Sequence, residues 1–113
     1  MQREALEQRV ARLARAVERA AREPASESRQ AALEALARFA GELAAHFTEQ
    51  ESRAATGAHR DAHARLRAEL AEIDRHARAA GDWPESWRAV AASFDRFARA
   101  LDEHERTEEL HAS

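Results

Sequence analysis

Residues that stop a helix are nearly absent from this chain. Three Gly and two Pro are spread over 113 residues, and Ala, Arg, Glu and Leu supply most of the rest, a mixture of strong helix formers with few exits. Pro24 lies in REPASES, the one Ser-rich stretch, where a helical pattern that begins near Gln2 has to break and Ser26 is placed to cap the next helix. Gly57 in AATGAH and Gly81 in AAGDWPE mark two further breaks. After the last of them, Asp82 with Glu85 three residues on reads as a capping box, and Pro84 suits a first helical turn. These signals predict four helices, over residues 2–23, 26–53, 58–80 and 83–111. Short connections between long helices favour antiparallel neighbours. The expected fold is all-α, an up-down-up-down antiparallel four-helix bundle forming a single domain over residues 1–113.

Such a bundle has a thin core to work with. Of the residues counted as hydrophobic, 30 are Ala, and Leu, Ile, Val and Phe together number 17 of 113, a level at which disorder has to be considered. Two features argue against disorder. The charges nearly cancel, 18 Arg against 21 Asp plus Glu, and the large apolar residues recur at alternating steps of three and four. The stripe of the first helix is Leu6, Val10, Leu13 and Val17; that of the second is Leu33, Leu36, Ala40, Leu43 and Phe47, with Phe39 beside it.

Cysteine is absent, which excludes disulfides, thiolate metal sites and a thiol nucleophile. No apolar run approaches the ~18–20 residues of a membrane span, and MQREALEQR has no secretory core. A cytoplasmic protein is expected. All the basic residues are Arg and they are scattered among acids, so neither nucleic acid nor a membrane is an expected partner.

The stripes of the third and fourth helices carry ionisable residues. One runs His59, His63, Leu66, Leu70, Ile73; the other runs Trp87, Val90, Phe94, Phe97, Leu101, His104, Glu108. His46, three residues after Leu43, is likewise turned inward from the second helix. Burying such groups is costly unless they are paired or ligated. In an antiparallel bundle the ends of the second and fourth helices meet the start of the third, and at ~1.5 Å rise per residue these five groups fall within about two turns of one another. The i, i+4 spacing of His59 with His63, and of His104 with Glu108, puts each pair on one helix face. His46, His59, His63, His104 and Glu108 therefore form the candidate metal layer, the alternative being a purely hydrogen-bonded polar layer. Imidazole with carboxylate suits iron, zinc, manganese or nickel more than calcium or magnesium. His76 is expected at the surface in the opposite half, and His111 continues the fourth stripe only at the chain's end.

Several segments are similar to the hemerythrin and hemerythrin-like (HHE cation-binding) family. LARFAGELAAHFTEQE resembles the family's second helix, HRDAH its third-helix His-x-x-x-His, and HERTEE its fourth-helix His-x-x-x-Glu-Glu; AAGDWPESW looks like the connection between the last two. The resemblance covers residues 31–112. It implies a four-helix bundle with a non-haem di-iron centre, used for dioxygen binding, oxygen or iron sensing, iron handling or peroxide removal. It also implies that His59, His63 and His104 serve one iron, that His46 belongs to a second, and that Glu108 or Glu109 bridges them. The chain departs from the family pattern at two places. Gln50 stands where the family has a second-helix carboxylate, and residues 1–45 contain no His to match the first-helix ligand. A neutral amide does little to offset two cations, so the expected centre is mononuclear, at His59, His63, His104 and Glu108 with His46 near by. A one-residue offset of the second helix would bring in Glu51 or Glu49 and restore two ions.

The expected function is thus a hemerythrin-like metal-binding protein holding one or two non-haem iron ions, with zinc or manganese as alternatives. Dioxygen or another small ligand would occupy the open coordination position. The competing expectation is a metal-free helical module for interaction or oligomerisation, and a homo-oligomer is compatible with either because the core is thin. An enzyme is the weakest reading: HExxH is absent, and the paired Glu-x-x-His of ferritin-like sites occurs only once.

Overall fold

The computed structural model describes residues 2–23, 25–54 and 57–112, apart from the side chains of residues 54, 111 and 112. Four helices account for nearly all of them: α1 (Arg3–Arg22), α2 (Ser26–Ala54), α3 (Gly57–Ala80) and α4 (Pro84–Ala112). No strand occurs among the described residues. The expected breaker Pro24 and the His111 side chain lie outside them.

Helix boundaries agree with the sequence to within a residue or so, and the small differences have local causes. The Ala25 carbonyl accepts from the Arg29 N–H, so Ala25 is the N-cap of α2 and Ser26 is its first helical residue, not the cap. Gly57 opens α3 instead of preceding it. At the third connection Gly81 takes a left-handed φ of +56°, the conformation that ends helices most cheaply when no Cβ is present. The Trp83 carbonyl then accepts from Trp87 N–H, which makes Trp83 the N-cap and puts Pro84 at the first helical position, where its missing N–H costs nothing. The expected capping box of Asp82 and Glu85 is therefore one residue out of register. The Asp82 carboxylate is instead engaged by Arg29 of α2.

Cross-helix pairs give the direction of each neighbour. Arg9 of α1 meets Glu42 of α2, Glu51 near the end of α2 meets His63 near the start of α3, and Arg3 meets Asp102 and Glu109 at the far end of α4. Sequential neighbours thus run antiparallel, and α1 packs against α4 to close the ring. Among the described residues, α1 faces α3, and α2 faces α4, across the diagonals without backbone contact. The bundle measures 45 × 22 × 19 Å, and its long axis matches the ~43 Å length of a 29-residue helix.

Most of the predicted stripe residues form the core, with Val10, Leu33 and Ala40 only partly buried against it. Leu6, Leu13, Val17, Leu36, Phe39, Leu43, Phe47, Leu66, Leu70, Ile73, Val90, Phe94, Phe97 and Leu101 are all buried, and Phe39 meets Phe94 edge to face at 6.4 Å between ring centres. At the end where α1 and α3 finish, the buried residues are Ala20, Ala32, Ala77 and Ala80 around Trp87. One wide indole fills the space that small residues leave, and its Nε1–H donates to the Gly81 carbonyl at 3.0 Å. No helix among the described residues is long and apolar enough to cross a membrane.

Candidate metal centre

The opposite end of the bundle is polar inside. There the last two turns of α2 and α4 meet the first two turns of α3, and the apolar stripe is continued by His46, His63 and Glu105, all buried. His104 and Glu108 are nearly as enclosed, with side chains 12% and 11% exposed.

Three ligating groups converge. One nitrogen each from His63 and His104 and one oxygen of Glu108 lie within 4.8 Å of one another. His63 Nε2 is 2.8 Å from Glu108 Oε1. His104 Nε2 is 2.7 Å from the same oxygen, at an angle that makes no hydrogen bond, so this buried nitrogen has no hydrogen-bond partner among the described residues. Phe47 stacks face to face on His63, ring centres 4.0 Å apart and planes within 6°, and meets His104 edge-on at 6.0 Å. The aromatic ring thereby fixes the plane of the His63 imidazole and walls the cluster from α2.

A second carboxylate reaches His63 from behind. Glu51 Oε2 lies 3.0 Å from Nδ1. A neutral imidazole has one proton for these two carboxylates: on Nδ1 it is donated to Glu51, on Nε2 to Glu108. In the Nδ1 tautomer, Nε2 turns a lone pair toward Glu108, a contact that a cation between them would relieve. A divalent ion would satisfy it together with His104 Nε2. Ligand atoms on an octahedral ion with bonds of about 2.1 Å lie about 3 Å apart when adjacent, so the 2.8 and 2.7 Å spacings to Glu108 Oε1 would open by a few tenths of an ångström while the widest spacing in the cluster, within 4.8 Å, would have to close. On donor chemistry and burial, His63, His104 and Glu108 are the residues that could hold a metal ion.

The five residues singled out in the sequence divide into two groups. His63, His104 and Glu108 come together; His59 and His46 stand apart from them. His59 is half-buried at the start of α3, its ring perpendicular to that of His104 with centres 6.4 Å apart. His46 crosses the bundle to α4, where its Nε2 lies 2.8 Å from Glu105 Oε1. Gln50 donates to Glu105 Oε2 at 2.9 Å, leaving Gln50 Oε1 and His46 Nδ1 buried without a hydrogen-bond partner among the described residues. Burial pushes the Glu105 carboxyl up, but the His46 hydrogen bond and charge, the Gln50 amide and the nearby His104 together hold it below its ordinary value.

Glu105 is absent from the layer expected on sequence, although a signal for it is present: it is four residues after Leu101 and eight after Phe97, on the same face. Glu51, whose spacing turns it away from His46, makes its hydrogen bond to another residue, His63. Its signal is its place four residues after Phe47 and eight after Leu43. Glu49 is engaged by Arg53 on its own helix. Glu109, the alternative bridging carboxylate, is 61% exposed and held by Arg3. At the level where a first-helix ligand would stand, α1 presents Leu6 and Val10. These line an apolar groove of about 220 Å³ between α1 and α4 that Glu105 borders.

No family model, curated protein or solved structure matches the chain.

Proposed function

We propose that the protein binds a single non-haem divalent metal ion, iron in the first instance, through His63, His104 and Glu108, and presents it to a small ligand such as dioxygen. The observation that carries this reading is the convergence of two imidazole nitrogens and one carboxylate within 4.8 Å in a buried layer. Two His and one carboxylate leave coordination positions open and form the donor set that suits ferrous iron. Iron bound there would supply an open coordination position to an exogenous ligand. The residues of the chain do the rest: Phe47 excludes water from one side, Glu51 holds His63, and the Glu105 partnership occupies His46. The resemblance to hemerythrin-like proteins supports the same reading. The missing first-helix His and Gln50 support one ion over two.

A second reading, a metal-free helical module, is favoured by one specific observation. His46 with Glu105, and His63 with Glu51 and Glu108, make short imidazole–carboxylate contacts without any ion. Metal content per chain on purified protein, before and after anaerobic Fe(II) loading, separates the two, with an absorbance spectrum on exposure to air. About one retained iron that is lost in His63→Ala and His104→Ala supports the proposal. About two irons with new near-ultraviolet bands would restore the di-iron reading, and no retained metal would leave the metal-free module.

A further inference from the structure

Resting on that single-ion reading, we propose that Glu51 is a positioning residue for the metal site, selecting the nitrogen that His63 offers to the ion. His63 is 1% exposed and has two restraints from α2. The face-to-face contact with Phe47 at 4.0 Å sets the plane of the ring but is indifferent to which way round the ring lies within that plane. A 180° turn about the Cβ–Cγ bond would exchange Nδ1 with Cδ2 and Nε2 with Cε1, at little cost to the stacking. Glu51 removes that freedom. Its Oε2 lies 3.0 Å from Nδ1, a contact that the turned ring could not make, and in the tautomer that donates Nδ1–H to Glu51 the lone pair is directed from Nε2 toward Glu108 and His104.

Glu51 is itself steered. It lies in the last turn of α2, half-buried, and its Oε1 is 3.9 Å from Arg60 Nε, one turn before His63 on α3. The series Arg60, Glu51, His63, Glu108 thus crosses from the solvent-exposed edge of α3 to the candidate site. A carboxylate that accepts from the far nitrogen of a metal-bound imidazole also makes the near nitrogen a stronger donor. This role lies outside the ligand set and gives a reason for a carboxylate on the side of His63 that faces away from Glu108.

The test is Co(II) binding to the full chain, followed through the visible absorption of the bound ion. Glu51→Ala is expected to raise the dissociation constant about 10- to 100-fold and to alter the absorption envelope as the imidazole loses its fixed orientation. Glu51→Gln keeps an oxygen that can accept from Nδ1–H and is expected to recover most of the affinity. Circular dichroism of the metal-free variants checks that both fold. Wild-type affinity in Glu51→Ala, with binding abolished in His63→Ala, would overturn the role of Glu51 while leaving the ion site intact. Equal losses in Glu51→Ala and Glu51→Gln would overturn it too, because they would assign the effect to charge alone. Absence of Co(II) binding in the wild type would overturn the ion site itself and this proposal with it.

Discussion

His46 and Glu105 bond across the diagonal of the bundle, Nε2 to Oε1 at 2.8 Å, although the backbones of α2 and α4 make no close approach. Both residues are buried, 5% and 6% exposed, so the pair is shielded from water and from salt. Removing one partner of such a pair leaves an uncompensated buried group and costs about 3–5 kcal/mol, whereas replacing both by apolar residues of similar volume is often neutral. Glu105→Ala is therefore expected to be strongly destabilising, and His46→Leu and Glu105→Met, combined with Gln50→Leu because the Gln50 amide also donates to Glu105, to recover most of the loss. Urea denaturation of the metal-free protein followed by circular dichroism measures both. Equal stability of Glu105→Ala and wild type would mean that the pair contributes nothing to the fold.

The same carboxylate sets a pH dependence. Because the folded pKa of Glu105 lies below its ordinary value, the native state binds fewer protons than the unfolded chain, and stability rises with pH through this range. The contribution is complete above the unfolded value of about 4.3 and is lost as the pH falls through the lower folded value. Urea midpoints taken from pH 7 down to pH 3 should decline in the wild type, with a shallower decline in Glu105→Gln, which cannot titrate. Parallel declines would assign acid sensitivity to other carboxylates.

Glycine substitutions should split by position. Gly81 has a φ of +56° and open space where a Cβ would stand, so Gly81→Ala meets no clash and bears only the cost of a left-handed alanine, about 1 kcal/mol. Gly41 lies exposed within α2 and also has nothing near its missing Cβ, so Gly41→Ala is expected to stabilise by about 0.5–1 kcal/mol. Thermal midpoints moving in opposite directions are the expected result. A stabilising Gly81→Ala would contradict the left-handed conformation at the α3–α4 connection.

The fold is legible in the sequence because helix punctuation and apolar spacing are local properties, and α1 to α4 begin and end within a residue or so of where Gly81, Pro84 and the stripes put them. The polar layer is only partly legible. Stripe arithmetic finds residues that point inward, but it does not say which inward residue will meet which. Gln50 does share a face with His46, yet the carboxylate that pairs with His46 comes from Glu105, on a helix 55 or more residues away in sequence. The angle of Glu51 to His46 hides its hydrogen bond to His63, because that bond lies along Phe47's face of α2. Pairing across a diagonal depends on the rotation of each helix about its axis, and that rotation is settled by packing among all four helices.

The proposed ion would add stability that the chain alone lacks, because a ligand bound only by the folded state raises stability by about 2.7 kcal/mol at one hundred times its dissociation constant. Saturating Co(II) or anaerobic Fe(II) should therefore raise the melting temperature of the wild type by several degrees. His63→Ala and His104→Ala should lose that increment, since each removes a nitrogen within the 4.8 Å cluster. His59→Ala should keep most of it, because the structure leaves His59 beside His104 and outside the converging donors. His46→Ala should lower the metal-free melting temperature and leave the increment unchanged, its Nε2 being occupied by Glu105. An increment that vanishes in His59→Ala and His46→Ala as well would instead mean that the ion gathers all four histidines and that the helix ends rearrange around it on binding.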